Sequence, residues 1–247
     1  MRSITAPILL ILASVLVISG CTQQTGSKRI LAGDQYMKTG NYPDAAQQYQ
    51  EAQNKEDSQA LSLRLATAKI KAHQYTEALS ELERLKHDGP KANYLKAVCY
   101  VALNDVAKSK SVLEESLKAK PDDALALSLL GRIHFLQQQY TQSAETYQEA
   151  LAISSNPKVR EILLYNLAVS QMRAGQFTAA DLSFKQYLSQ HEYVTAQDEK
   201  MAGAIAYAAG DRQRALNHWQ KLTRKERKAI LNAIDTDTQT YQALAVN

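Results

Sequence analysis

Two thiols, five imidazoles and scattered carboxylates are the side chains of this 247-residue chain that could do chemistry. Their spacing decides what they can do. A metal site needs several of His, Cys, Asp and Glu at short, regular intervals. His73, His87, His134, His191 and His218 show no such interval, and two cysteines make neither a structural zinc site nor a disulfide framework. Glu114 and Glu115 are chain neighbours on a helix surface and do not face each other as an acid and a base. Cys99 lies among Leu95, Val98 and Val101, a setting for packing rather than reactivity. No Gly-rich phosphate loop, Gly-x-Ser-x-Gly elbow or His-Glu-x-x-His pair occurs. The inventory predicts a chain that is not an enzyme, takes no cofactor or metal and has no small-molecule substrate.

Cys21 is different because of what precedes it. Arg2 supplies a positive start, Ile8 to Ile18 is an unbroken apolar run, and Ser19-Gly20-Cys21 follows. Eleven residues at 1.5 Å each span about half of a 30 Å hydrocarbon core, so the run is too short for a stable membrane span. A positive start, a short apolar run and small residues at its end are the pattern of a secretory signal. Residues 22–28 (TQQTGSK) then read as polar linker.

Ile18-Ser19-Gly20-Cys21 resembles the lipobox of bacterial lipoproteins. That resemblance implies cleavage before Cys21, a diacylglycerol on its sulfur and an acyl chain on its new amine. Two acyl chains already anchor a protein stably, at about 0.8 kcal/mol per buried CH₂. Thr22 rather than Asp after the cysteine implies sorting to the outer membrane, at its periplasmic face. The lipid is covalent, so Cys21 is the expected lipidation site.

The rest of the chain must supply the working surface, and its composition points to helices. Gly (9) and Pro (5) together have about half their usual share, which argues against an all-β sandwich. Hydrophobic residues at 45% and charged residues at 22% describe a globular chain. A net charge of +4 is far from the basic stripe of a nucleic-acid binder. The basic run Lys221, Arg224, Lys225, Arg227 and Lys228 reads first as a solvated helix face, with anionic lipid or an acidic partner as the alternative.

NYPDAAQQYQEA, QYTEALSELERL, QYTQSAETYQEA and QFTAADLSFKQY share one pattern, and two weaker copies complete the set. A small residue and a large one four places later recur as Ala45/Tyr49, Ala78/Leu82, Ser109/Leu113, Ser143/Tyr147, Ala180/Phe184 and Ala215/Trp219. The steps between copies are 33, 31, 34, 37 and 35 residues. A preceding small residue recurs at Gly33, Ala66, Ala97, Gly131, Ala168 and Gly203. Turn aromatics appear as Gly40-x-Tyr42, His73-x-Tyr75, Gln138-x-Tyr140 and Gly175-x-Phe177. The pattern resembles the tetratricopeptide repeat, whose period is about 34 residues. The small residues let paired helices approach closely, and the larger residue fills the gap against the next repeat.

The fold expected from this resemblance is all-α, a right-handed superhelical solenoid of about six repeats with a C-terminal capping helix at 224–234. The expected organisation is a signal peptide at 1–20, lipidated Cys21 and linker at 21–28, the solenoid at 29–229, and the end of the capping helix with a tail at 230–247. In this family the first helix of each pair lines a concave groove. Carried across, its positions include Met37, Leu63, Ile70, Tyr94, Val98 and Val101, then Arg132, Phe135, Tyr165, Val169, Met172 and Tyr207. Asp34, Leu125 and Ile162 occupy further groove positions. The lining is mostly apolar and lacks the Lys and Asn set with which chaperone-binding members hold a terminal carboxylate. It suits an amphipathic helix or an extended apolar segment of a protein partner.

Lipobox, linker and six repeats together resemble the Flp/Tad pilus assembly lipoproteins of the TadD type. The resemblance implies a membrane-tethered protein–protein interaction module that assists secretin or pilus assembly. A type IV pilus pilotin has nearly the same plan. A structural scaffold for peptidoglycan enzymes or for barrel assembly is the other reading.

Overall fold

Apolar residues at helical spacing, grouped twice per repeat, call for paired helices, and paired helices form. The computed structural model describes residues 26–55, 58–87 and 89–234. The expected signal peptide, Cys21 and the tail from 235 onward lie outside these. Among the described residues every regular element is a helix. They are α1 (26–39), α2 (Tyr42–Gln53), α3 (Gln59–Lys71), α4 (Tyr75–Glu83), α5 (Pro90–Ala102), α6 (Val106–Ala119), α7 (Ala124–Leu136), α8 (Tyr140–Ile153), α9 (Pro157–Arg173), α10 (Phe177–Leu188), α11 (Ala196–Ala208), α12 (Arg212–Trp219) and α13 (Arg224–Ile234). Residues 26–28, expected as linker, are already helical. Ile30 packs inward and Arg29 pairs with Glu51 of α2, which holds this first turn down.

The chain divides into two units, one running to Val112 and one from Leu113. In the first, α2 packs on α3, α3 on α4 and α4 on α5, while α3 also touches α5. In the second the same order recurs from α7 to α12, with α7 touching α9. The second helices α4, α8 and α10 therefore each pack on their own partner and on the next first helix.

Side-chain caps open helices of both kinds, with Asp105 accepting from the Lys108 amide before α6 and Asp211 from the Arg214 amide before α12. Several first helices begin with a side-chain cap: Ser58 accepts from the Leu61 amide, Asp123 from Leu125 and Ala126, and Asn156 from Lys158 and Val159. Thr195 and Asp198 form a reciprocal capping box. Every first helix ends in one device. Gly40, His73, Asn104, Gln138, Gly175 and Gly210 adopt left-handed φ values of 59° to 87°. The amide after each reaches back to the carbonyl five residues earlier, as in Asn41 to Tyr36 and Gln139 to His134. This closure satisfies carbonyls a helix end leaves open. Three of the six positions carry a side chain in a conformation that suits glycine.

Close helix approach rests on pairs sixteen residues apart. Tyr49, Tyr147 and Trp219 stand over Gly33, Gly131 and Gly203, and a Cβ at those glycines would lie within 2.1 to 3.1 Å of the ring atoms. Ala66 and Ala168 pack in the same buried clusters as Leu82 and Phe184. A larger ring goes with a smaller partner. The large residue was expected against the next repeat; it lies first on its own first helix and reaches onward with its other edge. Tyr49 thus joins Leu61 and Leu65 of α3, and Phe184 joins Met201 and Ile205 of α11. Where the second-helix small residue is serine, Ser109 and Ser143 donate to the carbonyls of Ala97 and Gly131 at 2.8 Å, so no buried hydroxyl is left unpaired.

Cys99 is fully buried, and burial raises its thiol to about 11. It is a packing residue, as expected. His134, half-buried, bonds to Gln139 at 2.8 Å.

Candidate functional site

The first-helix residues picked from the sequence fall into two groups, one in each unit. In the first unit Met37 lies half-buried against Tyr49 and Leu65. Leu63, Ile70 and Tyr94 lie half-buried against Ala66, Leu82 and Cys99. Val98 and Val101 are half-buried on α5. These side chains cover the core and show part of their surface.

In the second unit four of the picked residues converge. Arg132, Phe135, Tyr165 and Val169 line a cavity of about 350 Å³ together with Leu136, Tyr147, Asn166 and Ser170. α7 contributes Arg132, Phe135 and Leu136, α8 contributes Tyr147, and α9 contributes the rest. Leu125, Leu136 and Ile162, at 47%, 51% and 57% exposed, add apolar surface on the same two first helices. Met172 does not belong to this lining. It is 1% exposed and sits in the core with Phe184, Met201 and Ile205, whose bulk closes over it. Tyr207 is half-buried on α11, with its ring 6.1 Å from Trp219 and the Arg212 guanidinium over it.

The cavity combines apolar walls with polar groups that the protein itself leaves open. Tyr165 is held by Tyr187 at 5.3 Å and Phe184 at 6.3 Å, and burial raises its hydroxyl. Tyr147 is 3% exposed, and burial pushes its hydroxyl up to about 12, with the Arg132 charge pulling the other way. Among the described residues no carboxylate pairs with Arg132. Sequence reasoning missed Tyr147 because it reads as a core aromatic. The glycine beneath it is the available signal, because Gly131 lets the ring lie close against α7.

A second cavity, of about 320 Å³, lies in the first unit by Gln53, Ser62, Glu81 and Arg84. Its polar groups answer one another: Gln53 donates to Ser62 at 2.9 Å, and Glu81 pairs with Lys69 and Arg84. Among the described residues no group of three His, Cys, Asp or Glu side chains could hold a metal, and no helix is long and apolar enough to cross a membrane. The open cavity can bind an apolar segment and a polar or anionic group. It contains no paired nucleophile and base.

Three tetratricopeptide-repeat family models match residues 36–97, 100–156 and 163–192, together more than half of the chain. Among curated proteins no sequence matches significantly. Solved structures share the fold. A tetratricopeptide repeat protein from Parabacteroides merdae is 16% identical over 90% of this chain and 91% of its own, with a TM-score of 0.60. PilW, a type IV pilus biogenesis factor, is 22% identical over 90% and 99%, with a TM-score of 0.66. The Cut9–Hcn1 complex of the APC/C gives a TM-score of 0.69 at 14% identity, over 95% of this chain and 46% of that one. Helix pairs, repeat period and family matches agree that the chain belongs to the tetratricopeptide-repeat family.

Proposed function

We propose that this protein is a non-enzymatic binding module of a pilus-assembly machine, tethered by lipid on Cys21 to the periplasmic face of the outer membrane. Tetratricopeptide repeats suit protein–protein interaction. The observation that carries the binding role is the α7–α9 cavity, where apolar walls lie beside the exposed Arg132, which no described carboxylate pairs. Exposed Leu125, Leu136 and Ile162 extend the apolar surface beside it, as expected for a partner site. The likeness in fold and length to PilW supports a pilus role and favours the type IV system over the Flp/Tad system. Tethering confines the module beside unassembled subunits and raises their effective concentration without catalysis.

Photocrosslinking in intact cells tests this reading. A photoreactive residue at Tyr165 is compared with one at Glu149, an exposed position on the second helix α8. Capture of a secretin or pilus subunit at Tyr165 alone is the expected result. Capture of peptidoglycan enzymes at Glu149 with Tyr165 silent would make the protein a scaffold. The tether is tested separately: Cys21→Ser is expected to move the protein out of the membrane fraction.

A further inference from the structure

Three equivalent positions meet in the first repeat and again in the fourth, with different occupants. In the first repeat the Tyr49 hydroxyl donates to Asp34 Oδ1 at 2.6 Å. Arg64 Nη1 donates to both oxygens of the same carboxylate, at 2.7 and 2.6 Å. Asp34 directly follows Gly33, the glycine beneath Tyr49, and Arg64 stands two residues before Ala66 on the next first helix. In the fourth repeat the residue following the glycine is Arg132, the residue two before Ala168 is Asn166, and the tyrosine is Tyr147. All three line the α7–α9 cavity.

The fourth repeat therefore keeps the donors and lacks the acceptor. The Tyr147 hydroxyl belongs to a side chain 97% removed from solvent, lines the cavity and makes no hydrogen bond among the described residues. The guanidinium of Arg132 and the amide of Asn166 add further donors, neither engaged by another described side chain. The Tyr147 hydroxyl is open to the cavity rather than sealed from solvent, and donors from three side chains lining one cavity, one of them a guanidinium, suit an anion of planar, two-oxygen form. Phe135, Leu136 and Val169 make the surrounding wall apolar.

We propose that the α7–α9 cavity receives one side-chain carboxylate, from Asp or Glu, presented by an apolar segment of a partner protein, and that this carboxylate takes the place Asp34 holds in the first repeat. The proposal rests on the binding reading above and names the chemistry its site selects. Arg132 supplies charge at the rim, Tyr147 donates from the floor and Asn166 donates from the side. The apolar residues flanking the carboxylate pack on Phe135, Leu136 and Val169. Hydrogen bonds to a charged group make the acidic segment bind about tenfold more tightly than its amide counterpart.

The test is an NMR titration of the full-length protein with ¹³C-labelled tyrosine. The probes are the capped peptide acetyl-Leu-Glu-Leu-amide, the same peptide with Gln, and hydrocinnamate as a free acid. The expected result is a shift of the Tyr147 signal with the Glu peptide, at an affinity about tenfold above the Gln peptide. Tyr147→Phe and Arg132→Gln are each expected to erase the preference while thermal unfolding stays intact. Equal affinity for the two peptides overturns the proposal, as does failure of both to bind. Binding of hydrocinnamate without the Glu peptide also overturns it, because the site would then serve a free acid. Crosslinking at Tyr165 is independent of these results, so partner capture there without carboxylate preference would sink this proposal and leave the binding role standing.

Discussion

The first and fourth repeats are built on one plan. Each has a glycine on the first helix, a tyrosine lying over it from the second helix, and a polar residue immediately after the glycine. In the first repeat that residue is Asp34, and the tyrosine, the carboxylate and Arg64 close on one another. In the fourth it is Arg132, and the same geometry ends in an open cavity. One scaffold position is thus structural when its polar complement is closed within the chain and becomes a recognition site when it is not. The difference lies in two side chains, Arg132 in place of Asp34 and Asn166 in place of Arg64, on the same pattern of glycine and tyrosine.

The largest expected difference between the two repeats lies beneath the rings. A Cβ on Gly33 would stand 2.6 Å from the Tyr49 ring, and that ring is pinned through its hydroxyl to Asp34. Gly33→Ala is therefore expected to cost about 2 kcal/mol through overpacking. On Gly131 the contact would be 3.1 Å, and the Tyr147 ring has no tie at its far end. There the gain in helix propensity, about 1 kcal/mol, offsets the crowding, and Gly131→Ala is expected to fall within about 0.5 kcal/mol of the parent. Urea unfolding of both variants checks this. Equal costs would mean that the hydroxyl bond does not hold the first ring in place.

Removing the hydroxyls sharpens the contrast. Tyr49→Phe deprives a half-exposed carboxylate of one donor and is expected to cost about 1 kcal/mol, whereas Tyr147→Phe removes an unpaired group and is expected to cost nothing. Alkaline titration separates them further. Burial raises both hydroxyls above the ordinary 10.0; Asp34 raises Tyr49 more, while Arg132 limits Tyr147 to about 12. A raised folded-state value stabilises the fold fully below pH 10, and the benefit is lost as pH climbs toward that value. Tyr147 should thus ionise before Tyr49, and each Phe variant should lose less stability than the parent in alkali. A Tyr49 ¹³Cζ signal that moves first would reverse the assignment of the two environments.

Converting one repeat into the other is a more direct test. Arg132→Asp places a carboxylate where Tyr147 and Asn166 can donate to it. The variant is expected to gain about 1 kcal/mol in urea unfolding and to lose binding of the acidic peptide. Stability unchanged with peptide binding intact would show that the two sites are not equivalent.

What could be read in the sequence follows from what periodicity records. The helix pairs and the capping helix were legible because the small and large residues recur at fixed offsets, and burial enforces those offsets in every repeat. Met172 was misplaced because a first-helix position faces a partner only when its neighbours leave it uncovered; Phe184, Met201 and Ile205 do not. Tyr147 was overlooked because a ring's burial is periodic while its hydroxyl's partner is not. Asp34 and Arg132 hold equivalent places, and their opposite charges were the readable clue to the open site. The uniform helix ends were half-legible: Gly40, Gly175 and Gly210 advertise a left-handed residue, whereas His73 and Gln138 do not.

That last contrast gives the smallest of the expected effects, again between the first and fourth repeats. Gly40 and Gln138 end equivalent helices with φ of 77° and 59°, and in both the following amide closes on the carbonyl five residues back. A left-handed conformation costs a side-chain-bearing residue about 1–2 kcal/mol. Glycine relieves that strain but enlarges the unfolded ensemble by about 0.4–1 kcal/mol. Gln138→Gly is therefore expected to stabilise by about 0.5 kcal/mol, and Gly40→Ala to destabilise by about as much or somewhat more. Gln138 is exposed, so the substitution removes little packing. If Gln138→Gly lowers the urea midpoint instead, the glutamine side chain contributes more to that turn than its backbone strain takes away, and the two helix ends differ in more than the residue that forms them.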